Sequence, residues 1–276
     1  MARRLTRAAH FAYAAVMTHQ PPEDSLLAGM DPTGRFSDRA TDYVKYRPDY
    51  PIAAIDHMLQ GLGEPSRLVA ADVGAGTGIS TRMAAERGPR VIAIEPNAAM
   101  RAAAEPHPRV EWREGTAEAT GLDDGTIDLV LCAQTFHWFR QGEAVEEFAR
   151  ALRPGGRLAL MWNSRSRQDP LTLGYIEAIH AVNGEHPAET RTFDPDVVSA
   201  IGRFSPPRLA RFDHAQTLDR PGLVGRAASA SYMPKEGPAF EELVRLLNAL
   251  FDRYRDERGR VTMRYVTEVW LAERIA

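Results

Sequence analysis

The chain has 276 residues, 44% hydrophobic and 26% charged, with a formal net charge of −3. That size and balance suit one large globular domain, or one with a sizeable insertion, and give no overall attraction to nucleic acid or to an anionic membrane. A single cysteine, Cys132, excludes an internal disulfide and a cysteine-based zinc site, and fits a reducing, cytoplasmic setting.

Residues 1–30 loosely resemble a targeting peptide, with early arginines and an Ala-rich middle, but His10 and His19 flank a short, weak apolar segment. They are expected to form a helical or disordered extension, with the domain proper at residues 31–276. No apolar run approaches the roughly 20 residues of a spanning helix. "PIAAIDHMLQGLG" has helical spacing and a terminal glycine. An apolar run at residues 68–73 then meets the glycine cluster "DVGAGTG". "STRMAAERG" reads as a helix, "RVIAIEP" as a short buried strand with an acid at its tip, and "NAAMRAAAEPH" as a helix broken at Pro106. "RVEWREG" alternates like a strand, and residues 127–132 form a buried one around Cys132, a small core hydrophobe. "GEAVEEFARALRPGG" is an amphipathic helix with a Pro-Gly-Gly stop, and "RLALMWN" is another strand.

Helix and strand thus alternate at βαβ spacing over residues 52–163, which predicts a parallel, doubly wound sheet. "SRSRQDP" reads as a polar loop. Later come a strand in "RLARFDHAQTLDR", a strongly amphipathic helix in "GPAFEELVRLLNALFDRYRDERG", and a last strand in "VTMRYVTEVWLAERI", near residues 265–271.

"DVGAGTG" lies where a first strand turns into a helix, and Gly74, Gly76 and Gly78 permit a tight turn and close approach to a ligand. The dinucleotide fingerprint G-x-G-x-x-G fails at its last element, because the third glycine comes one residue early and Ile79 follows. Asp72 beside the loop suits a cationic or amino-bearing ligand better than a pyrophosphate. Glu95, at the tip of the next strand, can accept hydrogen bonds from two ribose hydroxyls.

These segments together resemble the class I S-adenosylmethionine-dependent methyltransferases. "DVGAGTG" is similar to their first motif, and "AIEP" to the acid after their second strand. "EGTAEAT" resembles the adenine-side loop, "GTIDLVLCAQTFHWF" the fourth strand and its exit, and "RALRPGGRLAL" the helix, turn and fifth strand. "RFSDRATDYVKYRPDYP" and "AQTFHWF" resemble the trans-aconitate methyltransferase-like, small-molecule subgroup.

The resemblance implies a Rossmann-like α/β sheet of seven strands, mostly parallel with the last antiparallel. It implies a helical lid drawn from residues 165–205 and 220–258. S-adenosylmethionine is the implied cofactor. Asp72, Gly74, Gly76 and Gly78 would shape its methionine side, and Glu95 its ribose, with Asn97 and Met100 nearby. Thr116, Ala117 and Glu118 would border the adenine, Gln134 would close the site, and Tyr43 and Arg47 would cap it.

"AQTFHWF" leaves the fourth strand at the edge where ligands sit in such sheets. Phe136 and Trp138 are candidates for the acceptor wall, and His137 for a base or a hydrogen-bonding group. A carboxylate acceptor needs no base, since it is ionised at neutral pH. Arg226, Ser231 and Tyr232 in "RAASASYMP" are further acceptor-side candidates. The expected activity is methyl transfer to a small organic acceptor, at a carboxylate or hydroxyl oxygen. The alternatives are carbon methylation of an isoprenoid-like molecule and a nicotinamide-dependent oxidoreductase. No metal-ligand spacing and no basic tract with interleaved aromatics occurs, so neither metal nor nucleic acid is expected.

Overall fold

The apolar runs form strands because both of their faces are covered. The computed structural model describes residues 44–185, 194–230 and 232–275. The expected N-terminal extension, Tyr43 and Ser231 lie outside these residues. Seven strands make one sheet: β1 (Val69–Val73), β2 (Arg90–Ile94), β3 (Val110–Arg113), β4 (Ile127–Ala133), β5 (Leu152–Arg165), β6 (Arg208–Leu218) and β7 (Val261–Glu273). Their order is β3-β2-β1-β4-β5-β7-β6. The pairs from β3 to β5 are parallel, and β7 runs antiparallel to both β5 and β6.

Alternation along the strands sorts the core into two layers. Ala71 and Val73 of β1 join Val130, Cys132, Leu158 and Leu160 on one face, under Ala144, Val145 and Phe148 of α4 (Gln141–Ala151). Ala70, Leu129, Leu131, Ala159 and Met161 face the other way. They meet Ala54, Ile55 and Met58 of α1 (Ile52–Leu59) and Ala84 and Ala85 of α2 (Ile79–Glu86). Asp72 shares the parity of Ala70, which turns its carboxyl toward α2. The short helix α3 (Ala98–Ala102) follows β2 and ends before Pro106.

A third cluster lies toward one end of the molecule. It is built from α5 (Pro170–Asn183), α7 (Arg220–Ala228), α8 (Pro238–Tyr254) and the facing residues Leu218, Val261, Met263 and Tyr265 of β6 and β7. A short α6 (Asp196–Ser199) precedes β6. No helix among the described residues is long and apolar enough to cross a membrane.

β5 differs from its sequence-based bounds. β5 begins at Leu152, so Pro154, Gly155 and Gly156 lie within it, where the register against β4 shifts. It also continues beyond Asn163, because Ser164 and Arg165 pair with Val266 and Tyr265 of β7. The polar "SR" read as loop is a strand end that faces a cavity instead of the core. β7 fills nearly all of the segment read as a strand, because it is sandwiched between β5 and β6.

Candidate active site

The strand order reverses between β1 and β4, and in such sheets the crevice beyond the carboxyl ends at that point takes ligands. A cavity of about 680 Å³ lies there. Its wall runs from Gly74, Gly76, Glu95 and Met100, past Gln134, to Arg165 and Arg226.

The loop between β1 and α2 is held by backbone bonds: the N–H groups of Gly74 and Ala75 donate to the Ile94 carbonyl at 2.9 and 3.1 Å. Gly78 caps α2 in the left-handed region, at φ 80°. A Cβ there would lie 2.9 Å from the Trp112 ring. Gly78 therefore shapes the loop without lining the cavity. Asp72 also acts from behind the wall. It is 1% exposed, and its Oδ2 accepts from Ser80 Oγ and Thr81 Oγ1, both at 2.7 Å. Its carboxyl thus ties the first turn of α2 to the end of β1.

Burial, opposed by those two hydroxyl bonds, pushes the Asp72 pKa up to about 6. A folded-state pKa above the unfolded value means that the folded chain holds the extra proton. The associated stability is present below the unfolded pKa and is lost as pH rises through about 6. We predict that Asp72→Asn, which is neutral throughout, lacks this loss. Between pH 4 and 7 the stability difference between variant and wild type should shift in the variant's favour by about 2–3 kcal/mol. Chemical denaturation across that range measures it, and parallel pH profiles would refute the assignment.

Glu95 is 8% exposed. Its Oε2 accepts from the Gly76 N–H and its Oε1 from the Asn97 N–H, each at 2.9 Å. One carboxylate therefore joins the glycine loop to the start of α3, with a second lone pair left on each oxygen. Burial raises its pKa, against the pull of the two N–H bonds and of Arg101. Asn97 caps α3, accepting from Ala99 and Met100 N–H groups, and does not line the cavity, whereas Met100 does. Thr116, Ala117 and Glu118 lie on the wall in a tight turn closed by Thr116 and Ala119. Glu118 also accepts from the Arg140 N–H at 2.9 Å.

At the exit of β4, Gln134 is held at φ 63°, the single positive value for a non-glycine among the described residues. Its N–H donates to the Met161 carbonyl at 2.8 Å, which fixes the bend. Strain of this kind, over-determined by its surroundings, is typical of functional positions. A single 3₁₀ turn, Phe136–Trp138, follows. Phe136 is fully buried and joins the core beneath while touching the cavity, and His137 (5% exposed) and Trp138 continue the wall with rings 5.1 Å apart. His137 Nδ1 accepts from Trp162 Nε1 at 3.4 Å. The neutral imidazole then carries its proton on Nε2 and offers a donor there.

The roof is a strap at residues 46–50. The Tyr46 carbonyl accepts from Gln216 Nε2 at 3.0 Å, and the Asp49 carbonyl from Asn163 Nδ2 at 2.8 Å. Arg47 Nη2 donates to the Ser229 carbonyl at 3.1 Å. Arg47 and Tyr50 reach the cavity. The opposite end is lined by Arg165, Ile176, Arg226 and Tyr232. Arg165, Trp162 and Asn163 were not singled out from sequence. Their signal was present in the polar break that follows the apolar core of β5.

A relative from Mycobacterium tuberculosis, an uncharacterised methyltransferase, is 36% identical over 196 residues, covering 69% of this chain and 74% of its own length. The chain belongs to the methyltransferase family. The family's methyltransferase domain description matches residues 71–160 of this methyltransferase. An uncharacterised methyltransferase-like protein of Schizosaccharomyces pombe is 35% identical over 167 residues, or 57% of this chain and 61% of the relative. The structure of an Anaeromyxobacter dehalogenans protein, provisionally classed as a type II methyltransferase, superposes with a TM-score of 0.57. It is 23% identical and covers 83% of this chain and 98% of its own, so it shows the shared fold. With the family established, the oxidoreductase alternative is set aside.

Proposed function

We propose that this methyltransferase moves a methyl group from S-adenosylmethionine to a carboxylate or hydroxyl oxygen of a small organic acceptor, within the trans-aconitate methyltransferase-like subgroup. One observation carries the reading. A single cavity joins Glu95 and the glycine loop at one end to Arg165, Arg226 and Tyr232 at the other. The first end fits the cofactor: Gly74 and Gly76 leave bare backbone on the wall, and Glu95 keeps two outward lone pairs beside it. Bound S-adenosylmethionine supplies a methyl carbon activated by a sulfonium.

This chain's residues then bind and align. Glu95 takes the ribose hydroxyls, Thr116–Glu118 border the adenine, and Gln134 closes the site. Tyr43 and Arg47 are proposed as caps, and Arg47 is already pinned to Ser229 by its guanidinium. Trp138 and Trp162 exclude water around the reacting atoms, which favours a near-attack arrangement. His137 serves as a donor to the acceptor instead of a base.

Isotope transfer from methyl-labelled S-adenosylmethionine tests this across carboxylic acids, phenols and isoprenoid-like alcohols. Oxygen-linked label is expected. Label on carbon would sink the oxygen assignment, and thermal stabilisation by NAD but not by S-adenosylhomocysteine would sink the cofactor. His137→Gln, which keeps a donor, should retain turnover within about ten-fold, whereas His137→Ala should lose on the order of 100-fold. Equal losses in both would restore the base.

A further inference from the structure

The far end of the cavity holds a charge that the described residues satisfy only in part. Arg226, in the last turn of α7, is 5% exposed, and its Nε and Nη1 have no hydrogen-bond partner among the described residues. The fully buried Tyr175 hydroxyl is equally bare among them. Arg165 lies over the Tyr175 ring, 5.1 Å from its centroid. The ionisable groups that weigh most on Arg226 are Tyr265, with which it shares a side-chain hydrogen bond, Tyr175 and Arg165. Burial pushes the Tyr175 pKa up to about 12, so it remains a neutral donor. Two guanidiniums thus line one end of the cavity, with the Tyr175 phenol packed behind them.

A buried guanidinium with open N–H groups is costly to keep, and buried donors left open in a folded protein call for a partner. We propose that Arg226 and Arg165, backed by Tyr175, form a subsite for an anionic group of the acceptor, a carboxylate or a phosphate. This anion is the handle by which the acceptor is held and is not the atom that is methylated. An oxygen gripped by two guanidiniums has its lone pairs drawn into charge-assisted hydrogen bonds, which lowers its nucleophilicity. The reacting atom therefore sits on a second group of the same molecule, toward Gln134 and His137. The acceptor is bifunctional, an inference that rests on the methyl-transfer reading above.

Calorimetry on the full chain saturated with S-adenosylhomocysteine tests it, using succinate, phenyl phosphate and neutral succinamide as probes. At least one anion should bind about ten-fold tighter than succinamide, and the preferred anion tells carboxylate from phosphate. In Arg226→Met that advantage should disappear, a loss of at least about ten-fold, with S-adenosylhomocysteine affinity unchanged. Equal binding of all three probes, or anion binding untouched by the substitution, would overturn the proposal.

Thermal unfolding without ligand controls for misfolding. Removing a buried guanidinium that is only partly hydrogen-bonded should leave Tm close to that of the wild type or higher, and a clear fall would mark Arg226 as structural and also overturn the proposal. If S-adenosylhomocysteine binds neither protein, the methyl-transfer reading fails. The same probes without it then decide the anion site on their own.

Discussion

Glu95→Ala is expected to weaken S-adenosylhomocysteine binding on the order of 100-fold or more. The carboxylate offers two outward acceptor positions on the cavity wall, and hydrogen bonds to a charged acceptor contribute about 1.5–3 kcal/mol each. Its removal also leaves the Gly76 and Asn97 N–H groups without their acceptor, loosening the loop that the cofactor must meet. The loss is partly offset in stability, because burial already disfavours the ionised form. The variant should therefore fold, with stability lowered by only about 1–2 kcal/mol. Glu95→Gln retains one acceptor oxygen and should fall between the two. Calorimetric titration measures the affinities. A Glu95→Ala affinity within a few-fold of wild type would remove Glu95 from the ribose site.

The second large effect is on the fold itself. Gly74 has φ 70°, and a Cβ on it would lie 3.0 Å from Thr135 Cβ and Cγ2 and 3.1 Å from Phe139 Cζ. Thr135 cannot retreat freely, since its hydroxyl donates to the Val73 carbonyl at 3.1 Å. Gly74→Ala combines left-handed strain with overpacking, and together these should cost about 2–4 kcal/mol. The expected fall in Tm is on the order of 5–10 °C. Gly76→Ala is the comparison: it shares the positive φ, but its Cβ would meet only the flexible Met100 Cε at 3.4 Å. Its cost should stay near about 1 kcal/mol. Equal Tm losses in the two variants would show that packing against Thr135 contributes nothing.

The centre of the sheet was readable because its strands are apolar on both faces and its turns carry glycine. Residues 68–73 and 127–132 are of this kind. What could not be read was anything set by the meeting of distant segments. Arg165 looked like loop because polar residues at a strand end resemble a turn, and only pairing with Tyr265 of β7 makes it strand. Tyr175 has the spacing of a core residue on α5, and nothing local announces the two guanidiniums beside it. Asp72, Gly78 and Asn97 were expected to bind the cofactor but lie off the cavity wall, because sequence does not tell a residue on a wall from one bracing it. Their placement follows from strand parity and helix capping, which the three-dimensional structure supplies.

The cavity is assembled from two kinds of source. Its first half, from Gly74 to Gln134, comes from one continuous stretch of chain, and the matched domain ends at residue 160, just short of Arg165. The second half is gathered from the end of β5, from α5, and from the end of α7, with Tyr265 of β7 behind. Inheritance can therefore pass the first half on as a block. A lineage that changes the far end of the cavity must instead alter several scattered positions together, and a chimaera joined near residue 160 would exchange Arg165 and Arg226 while keeping Gln134, His137 and Trp138.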